Sequence, residues 1–136
     1  MKDCNRAIRT SFFNRIIALG YSCYDTVPKL ASTPYCYLYN QSAYQDGLQD
    51  QHGQVASISI DIIKEYQKDF GGGKDVDVIA NAIIEDILKF APNQIKVTGF
   101  DVVDCSLEGT NTISQTTDTN TIFIRTLKFK LIIYEL

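Results

Sequence analysis

Residues 75–90 read DVDVIANAIIEDILKF, and this stretch decides how the rest of the chain must fold. Val76, Ile79, Ala80, Ile83, Ile84, Ile87 and Leu88 recur at helical spacing, so on a helix they share one broad apolar face. Asp75 is placed to cap the first turn, Asp77 lies at the positive end of the helix dipole and Lys89 near the negative end. Pro92 stops the helix. A face this wide needs a partner layer. The flanking runs alternate apolar and polar residues at period two, which makes that partner a sheet.

Moving towards the N-terminus, Gly71, Gly72 and Gly73 precede the helix. A phosphate loop needs GxxxxGK[ST], but Lys74 is followed by Asp75, and two aspartates in the first turn repel phosphate. A flexible turn is the reading. Residues 55–66 form a half-buried antiparallel strand, with Ala56, Ile58, Ile60 and Ile62 towards the helices and Ser57, Ser59 and Asp61 away. The polar segment 46–53, DGLQDQHG, joins it in a hairpin to residues 35–45, YCYLYNQSAYQ, an edge or outer strand. Its Cys36 and Leu38 point one way, and Tyr35, Tyr37 and Tyr39 the other. Residues 21–34 are a connector broken by Pro28 and Pro34, with a short extra strand near 21–24 as an option. Residues 3–19 are a first helix on Ala7, Ile8, Phe12, Ile16 and Leu19, with Phe13 and Ile17 widening the stripe. Gly20 ends it in a left-handed cap.

Towards the C-terminus, residues 95–107 predict a third long strand with a bulge around Gly99 and Phe100. Residues 108–120, EGTNTISQTTDTN, are small and polar, either an extended loop or a hairpin tip. Residues 121–134 are the last strand. Leu127, Phe129, Leu131 and Ile133 line one face and Lys128 and Lys130 the other, while Ile122 and Ile124 have the opposite parity, which a bulge near Arg125 would reconcile. The expected fold is a single α+β domain over residues 1–136: two helices on one face of a mostly antiparallel four-stranded sheet, in the order α-β-β-α-β-β.

Composition narrows the function. A chain of 136 residues with 45% apolar content is long enough for one core. Net charge is −3 and the pI about 5.0, so there is no basic excess to hold a phosphate backbone. Cys4, Cys23, Cys36 and Cys105 lack zinc or redox spacing and read as free thiols in a reducing cytosol. No apolar run is long enough to span a membrane. His52 is the single histidine, in a loop beside Asp50. There is no Gly-x-Ser-x-Gly elbow, and Cys105 has no histidine partner in view. Glu85 and Asp86 fall on the polar side of the helix, where solvent or Lys89 suffices. These residues predict neither catalysis, nor a cofactor, nor a bound metal.

A two-layer domain leaves one sheet face open. Here that face carries Ser57, Ser59, Asp61, Lys128 and Lys130, together with Tyr35, Tyr37, Tyr39, Ile132 and Tyr134. The last five are the expected subunit-interface residues, since polar-tipped aromatics suit interfaces. The loops 46–53 and 108–120 are the expected contacts to larger partners, through Asp46, Gln49, Asp50 and His52, and through Asn111, Thr116, Thr117 and Asn120.

Several local patterns in this order resemble a family. An amphipathic N-terminal helix ends near Gly20, followed by Tyr24-Asp25-Thr26-Val27-Pro28, Ala31 and Pro34-Tyr35. Then come Ile60-Asp61-Ile62-Ile63-Lys64, a glycine-containing turn, the second helix, and a basic, apolar final strand from Arg125 to Ile133. Over nearly its whole length the chain resembles the tail terminator, or tail completion, proteins of long-tailed bacteriophages. It departs at Ile63, where the family often has an aromatic, commonly tryptophan, and in its Thr- and Asn-rich segment 108–120. The resemblance implies a non-catalytic virion protein, assembled in the host bacterial cytoplasm. It implies a hexameric ring at the head-proximal end of the tail tube that stops tube growth and joins tail to head. The implied partners are other copies, the tail tube protein and neck, connector or head completion proteins, with genome DNA passing the lumen without sequence-specific binding. A head completion or stopper protein of the neck is the nearest alternative, and a small cytosolic ligand-binding or regulatory domain the next.

Overall fold

A computed structural model describes residues 2–29, 31–45, 53–67, 74–90 and 92–136. These residues form two α-helices and one five-stranded sheet. The elements are α1 (Asn5–Ala18), β1 (Cys23–Tyr24), β2 (Tyr35–Gln45), β3 (Gly53–Gln67), α2 (Lys74–Ile87), β4 (Phe100–Thr116) and β5 (Asn120–Glu135). The sheet order is β1-β2-β3-β5-β4. β1 runs parallel to β2, and the other neighbours are antiparallel.

This corrects the expected four-stranded, mostly antiparallel sheet and its α-β-β-α-β-β order. The sheet is mixed and has a fifth strand. β1 is two residues long, too short to carry a period in the sequence. It is held by the pairs Cys23↔Cys36 and Tyr24↔Tyr37 and by the Cys36 N–H donating to the Ser22 carbonyl at 2.8 Å. Among the described residues, the edge of β2 is therefore covered only at its start.

Both helices lie on the same sheet face, and the core sits between. Ala56, Ile58, Ile60 and Ile62 of β3 oppose Leu131, Phe129, Leu127 and Arg125 of β5. All of these except Arg125 are fully buried. From α2 come Val76, Ile79, Ala80, Ile83 and Ile87, and from α1 Ile8, Phe12 and Ile16. Gln54 continues the buried row of β3. Its Oε1 accepts from Cys4 Sγ at 3.3 Å and its Nε2 donates to the Lys2 carbonyl at 2.6 Å, so the buried amide is satisfied. Asp75 lies inside the first turn of α2 rather than at its cap, and accepts from Tyr66 Oη at 2.8 Å.

The C-terminal half departs from expectation in three places. β4 starts at Phe100, because Val97 and Phe100 close a tight turn through Gly99 (φ +85°). Its bulges fall between Val102 and Asp104 and between Leu107 and Gly109, further along than expected. β4 then continues to Thr116, so most of the segment 108–120 is strand, and only residues 117–119 form the turn. Finally, β5 pairs with β3 without interruption from Asn120 to Tyr134, so no bulge stands near Arg125. Arg125 stays on the helix side, where its Nη1 meets Asp77 Oδ1 at 2.7 Å. Ile122 and Ile124 therefore lie on the open face.

Gly20 carries a backbone requirement. It has φ +93°, its N–H donates to the Ile17 carbonyl at 2.9 Å, and the Tyr21 N–H donates to the Ile16 carbonyl at 3.4 Å. This paired pattern is the Schellman end of a helix. Among the described residues nothing lies within 4 Å of an added Cβ, so it is the backbone that opposes substitution. Gly20→Ala should cost about 1 kcal/mol in urea unfolding. A neutral result would mean that the left-handed cap does not matter.

Candidate functional site

Strand alternation gives the open face a banded composition. One band crosses four strands, Tyr35↔Ile63↔Ile124↔Ile113. A second, Tyr44↔Val55↔Ile132, lies towards the other end, where the Tyr134 ring covers Gly53 with Cε1 3.0 Å from an added Cβ. Between them the face is polar. Tyr37↔Asp61↔Thr126↔Asn111 is followed by Tyr39↔Ser59↔Lys128↔Gly109. Ser42 and Ser57 then share a hydrogen bond at 2.6 Å.

The centre of this face is ordered by one carboxylate. Asp61 Oδ1 accepts from Tyr39 Oη at 3.0 Å and from Thr126 Oγ1 at 2.7 Å. Burial pushes the Tyr39 hydroxyl above its ordinary pKa, and its hydrogen bond to Asp61 pushes it further, so it stays a neutral donor. Tyr37 and Tyr39 stack with their ring planes 6° apart and centroids 5.2 Å apart. Tyr24 meets Tyr35 edge-on at 5.8 Å. The result is a four-tyrosine margin, of which Tyr24 was missed in the sequence because β1 is too short to assign a face. Past the stacked pair, Asn40 takes φ +53° at the bulge between Tyr39 and Ser42, a conformation asparagine tolerates. This lets Gln41 turn to the helix side and donate to the Asn5 carbonyl at 2.6 Å.

The five expected interface residues thus lie on one face but not in one cluster. Tyr35, Tyr37 and Tyr39 belong to one end and the middle, Ile132 and Tyr134 to the opposite end. Of the expected contact-loop residues, Asn111 lies on the open face opposite Thr126, while Thr116 lies on the helix side. Thr117 closes the β4–β5 turn, its Oγ1 bonded to both the Asn120 N–H and carbonyl. Asn120 Nδ2 donates to Glu65 Oε1 at 2.6 Å. Asp46, Gln49, Asp50 and His52 lie outside the described residues.

On the helix side, a cleft of about 820 Å³ opens between α1 and the segment 92–100. None of the expected interface residues lines it. Arg15 closes its base: Nε meets Asp86 Oδ2 at 2.7 Å, and Nη2 donates to the carbonyls of Asp86 at 2.8 Å and Asn93 at 3.0 Å. Lys89 Nζ also reaches Asp86, at 3.2 Å. Burial alone would raise the Asp86 carboxyl, but the bonds from Arg15 and Lys89 outweigh it and hold it below the usual carboxylate range. Among the described residues the lining includes Ser11 but neither histidine nor cysteine, and the Ser11 hydroxyl is spent on the Lys96 carbonyl. That arrangement joins α1 to the end of α2; it does not assemble a nucleophile and a base.

No group of histidine, cysteine and carboxylate side chains among the described residues has the arrangement of a metal site. All four cysteines are free thiols. Burial pushes Cys23, Cys36 and Cys105 each up to about 12, so none is a thiolate at neutral pH. No helix among the described residues is long and apolar enough to cross a membrane.

Comparison of the sequence with protein-family models finds no match, and comparison with curated proteins finds none. Solved structures do match. A chain from the virion of a native gene transfer agent particle superposes with a TM-score of 0.71 at 17% identity. This chain shares that virion chain's fold. The likeness takes in 98% of this chain and 99% of the other, so it runs from end to end of both. It includes the β4–β5 hairpin that the sequence left open between loop and strand.

Proposed function

We propose that this chain is a structural, non-catalytic subunit of a phage-like virion, and within it a tail terminator. Copies form a ring at the head-proximal end of the tail tube, end tube growth and join the tail to the neck or connector. The end-to-end likeness to a virion chain is the observation that carries the reading. The open sheet face supports it, since a face with two apolar bands and a tyrosine margin suits contact with protein. The partners are other copies, in a hexameric ring, then the tail tube protein and a neck or head completion protein. DNA passes the lumen without sequence-specific contacts, which a net charge of −3 favours. The location is the virion, after assembly in the host cytoplasm, and no cofactor takes part.

The test is capping of purified tail tubes, seen by negative-stain electron microscopy, with ring mass from light scattering. Tyr37→Asp should weaken capping, because a central interface tyrosine contributes about 2 kcal/mol or more, roughly thirtyfold in affinity. Equal capping by wild type and variant would remove Tyr37 from the interface. Rings that bind the connector but never the tube would make the chain a head completion protein instead.

A further inference from the structure

We propose that the subunits meet head to tail, with the outer face of α1 of one copy lying on the Ile63–Ile124–Ile113 band of the next. The inference rests on the reading of the chain as an assembling subunit. It adds which two surfaces meet.

The first observation is that α1 is apolar on two opposite sides. Cys4, Ile8, Phe12 and Ile16 recur every four residues and are fully buried against the sheet. Phe13 and Ile17, expected to widen that stripe, instead point outward, 36% and 44% exposed. Arg6 and Thr10 share the outward face at helical spacing and are exposed. Among the described residues, nothing packs over Phe13 and Ile17 closely enough to bury them. The second observation is the open-face band, whose Ile113 is 47% exposed. Because the helices cover the opposite side of the sheet, the two apolar patches face away from each other across the molecule. Surfaces that differ and lie on opposite sides make a heterologous contact, which repeats from copy to copy.

Dimensions and charge fit one arrangement. Strands are about 4.8 Å apart, so Tyr35 to Ile113 spans roughly 14 Å. Arg6 to Ile17 spans about 16 Å along a helix. With Ile17 on Ile113 and Phe13 on Ile124, Arg6 falls beside Tyr35. There the guanidinium has an aromatic face, with Glu65 and Asp61 flanking Ile63 one strand away. Arg6 makes no ion pair among the described residues, and Glu65 is exposed.

The test pairs two defective variants. Phe13→Asp/Ile17→Asp spoils the helix side and Ile113→Asp the sheet side. All three positions are exposed, so both variants should keep the wild-type circular dichroism spectrum. Wild type should assemble beyond a dimer in sedimentation velocity at high micromolar concentration. Each variant alone should be monomeric, its self-affinity down at least tenfold. A mixture should form a one-to-one dimer and stop, because one intact helix face meets one intact sheet face while the two altered faces repel. If the helix-side variant still self-associates, or the mixture stays monomeric, the contact is wrong. A wild-type chain that stays monomeric throughout overturns it too. Open-ended polymers in place of a closed ring would leave this contact standing and count against the tail terminator reading alone.

Discussion

Phe12→Ala is expected to destabilise the protein by about 3–5 kcal/mol, the usual cost of removing a buried aromatic ring. Phe12 is fully buried, and its ring meets Phe129 of β5 edge-on with centroids 5.5 Å apart. It is the central residue of the Ile8–Phe12–Ile16 stripe, by which α1 holds the sheet. The cavity would open at the middle of the core, between a helix and a central strand, where little can collapse into it. Urea unfolding followed by circular dichroism reads the loss directly, and the melting temperature should fall by roughly 10–17 °C. A loss under about 1 kcal/mol would mean that α1 is not part of the cooperative unit. Phe13→Ala, one residue on but outward, should change stability little and serves as the control.

The second large effect is expected at Arg15. Arg15→Met keeps the aliphatic stem but removes the ion pair to Asp86 and the bonds to the Asp86 and Asn93 carbonyls. Breaking one side of a fully buried pair costs about 3–5 kcal/mol, and some solvent access here lowers that to about 2 kcal/mol. The pH dependence has a definite sign. The folded pKa of Asp86 is depressed, so its contribution is fully present above the unfolded value of about 3.9 and is lost as pH falls through the lower folded value. Stability measured from pH 7 down to pH 3 should therefore show the variant's deficit narrowing below about pH 4, with the share due to the lost carbonyl bonds persisting. A deficit equal at pH 7 and pH 3 would show that the Asp86 charge plays no part.

What could be read from the sequence, and what could not, follows from how local each signal is. α2 was legible because its apolar spacing needs nothing beyond its own turns, and Val76, Ile79, Ala80, Ile83 and Ile87 are its buried residues. Gly20 was legible because a left-handed end is a property of a few consecutive residues. The open face beyond Arg125 was not. Ile122 and Ile124 break the polar pattern of that face, and a bulge would have hidden them. Continuous pairing with β3, more than fifty residues earlier, keeps the alternation unbroken and puts them outside. The same distant partner explains β4. Its Thr- and Asn-rich end has little apolar content of its own, yet β-branched Thr110, Thr112 and Ile113 fit a strand once β5 supplies the ladder. On α1, one set of apolar residues at helical spacing contained two faces, and periodicity could not say that Phe13 and Ile17 belong to the second. The Arg15–Asp86 pair joins residues 71 apart, and no local pattern announces it.

The sheet order also governs how the protein is made. β5 is the last strand in sequence, yet it stands between β3 and β4, bonded to both. As the chain leaves the ribosome, β1, β2 and β3 emerge first, and one long edge of β3 has no neighbour until β5 follows. That edge includes Ile58, Ile60 and Ile62, and an unpaired apolar strand edge is a template for aggregation. Closing the core thus requires contacts of wide sequence separation, which folds slowly relative to a helical bundle of similar size. The vulnerable interval is the synthesis of residues 68–119, and chaperones that shield nascent strands should act there.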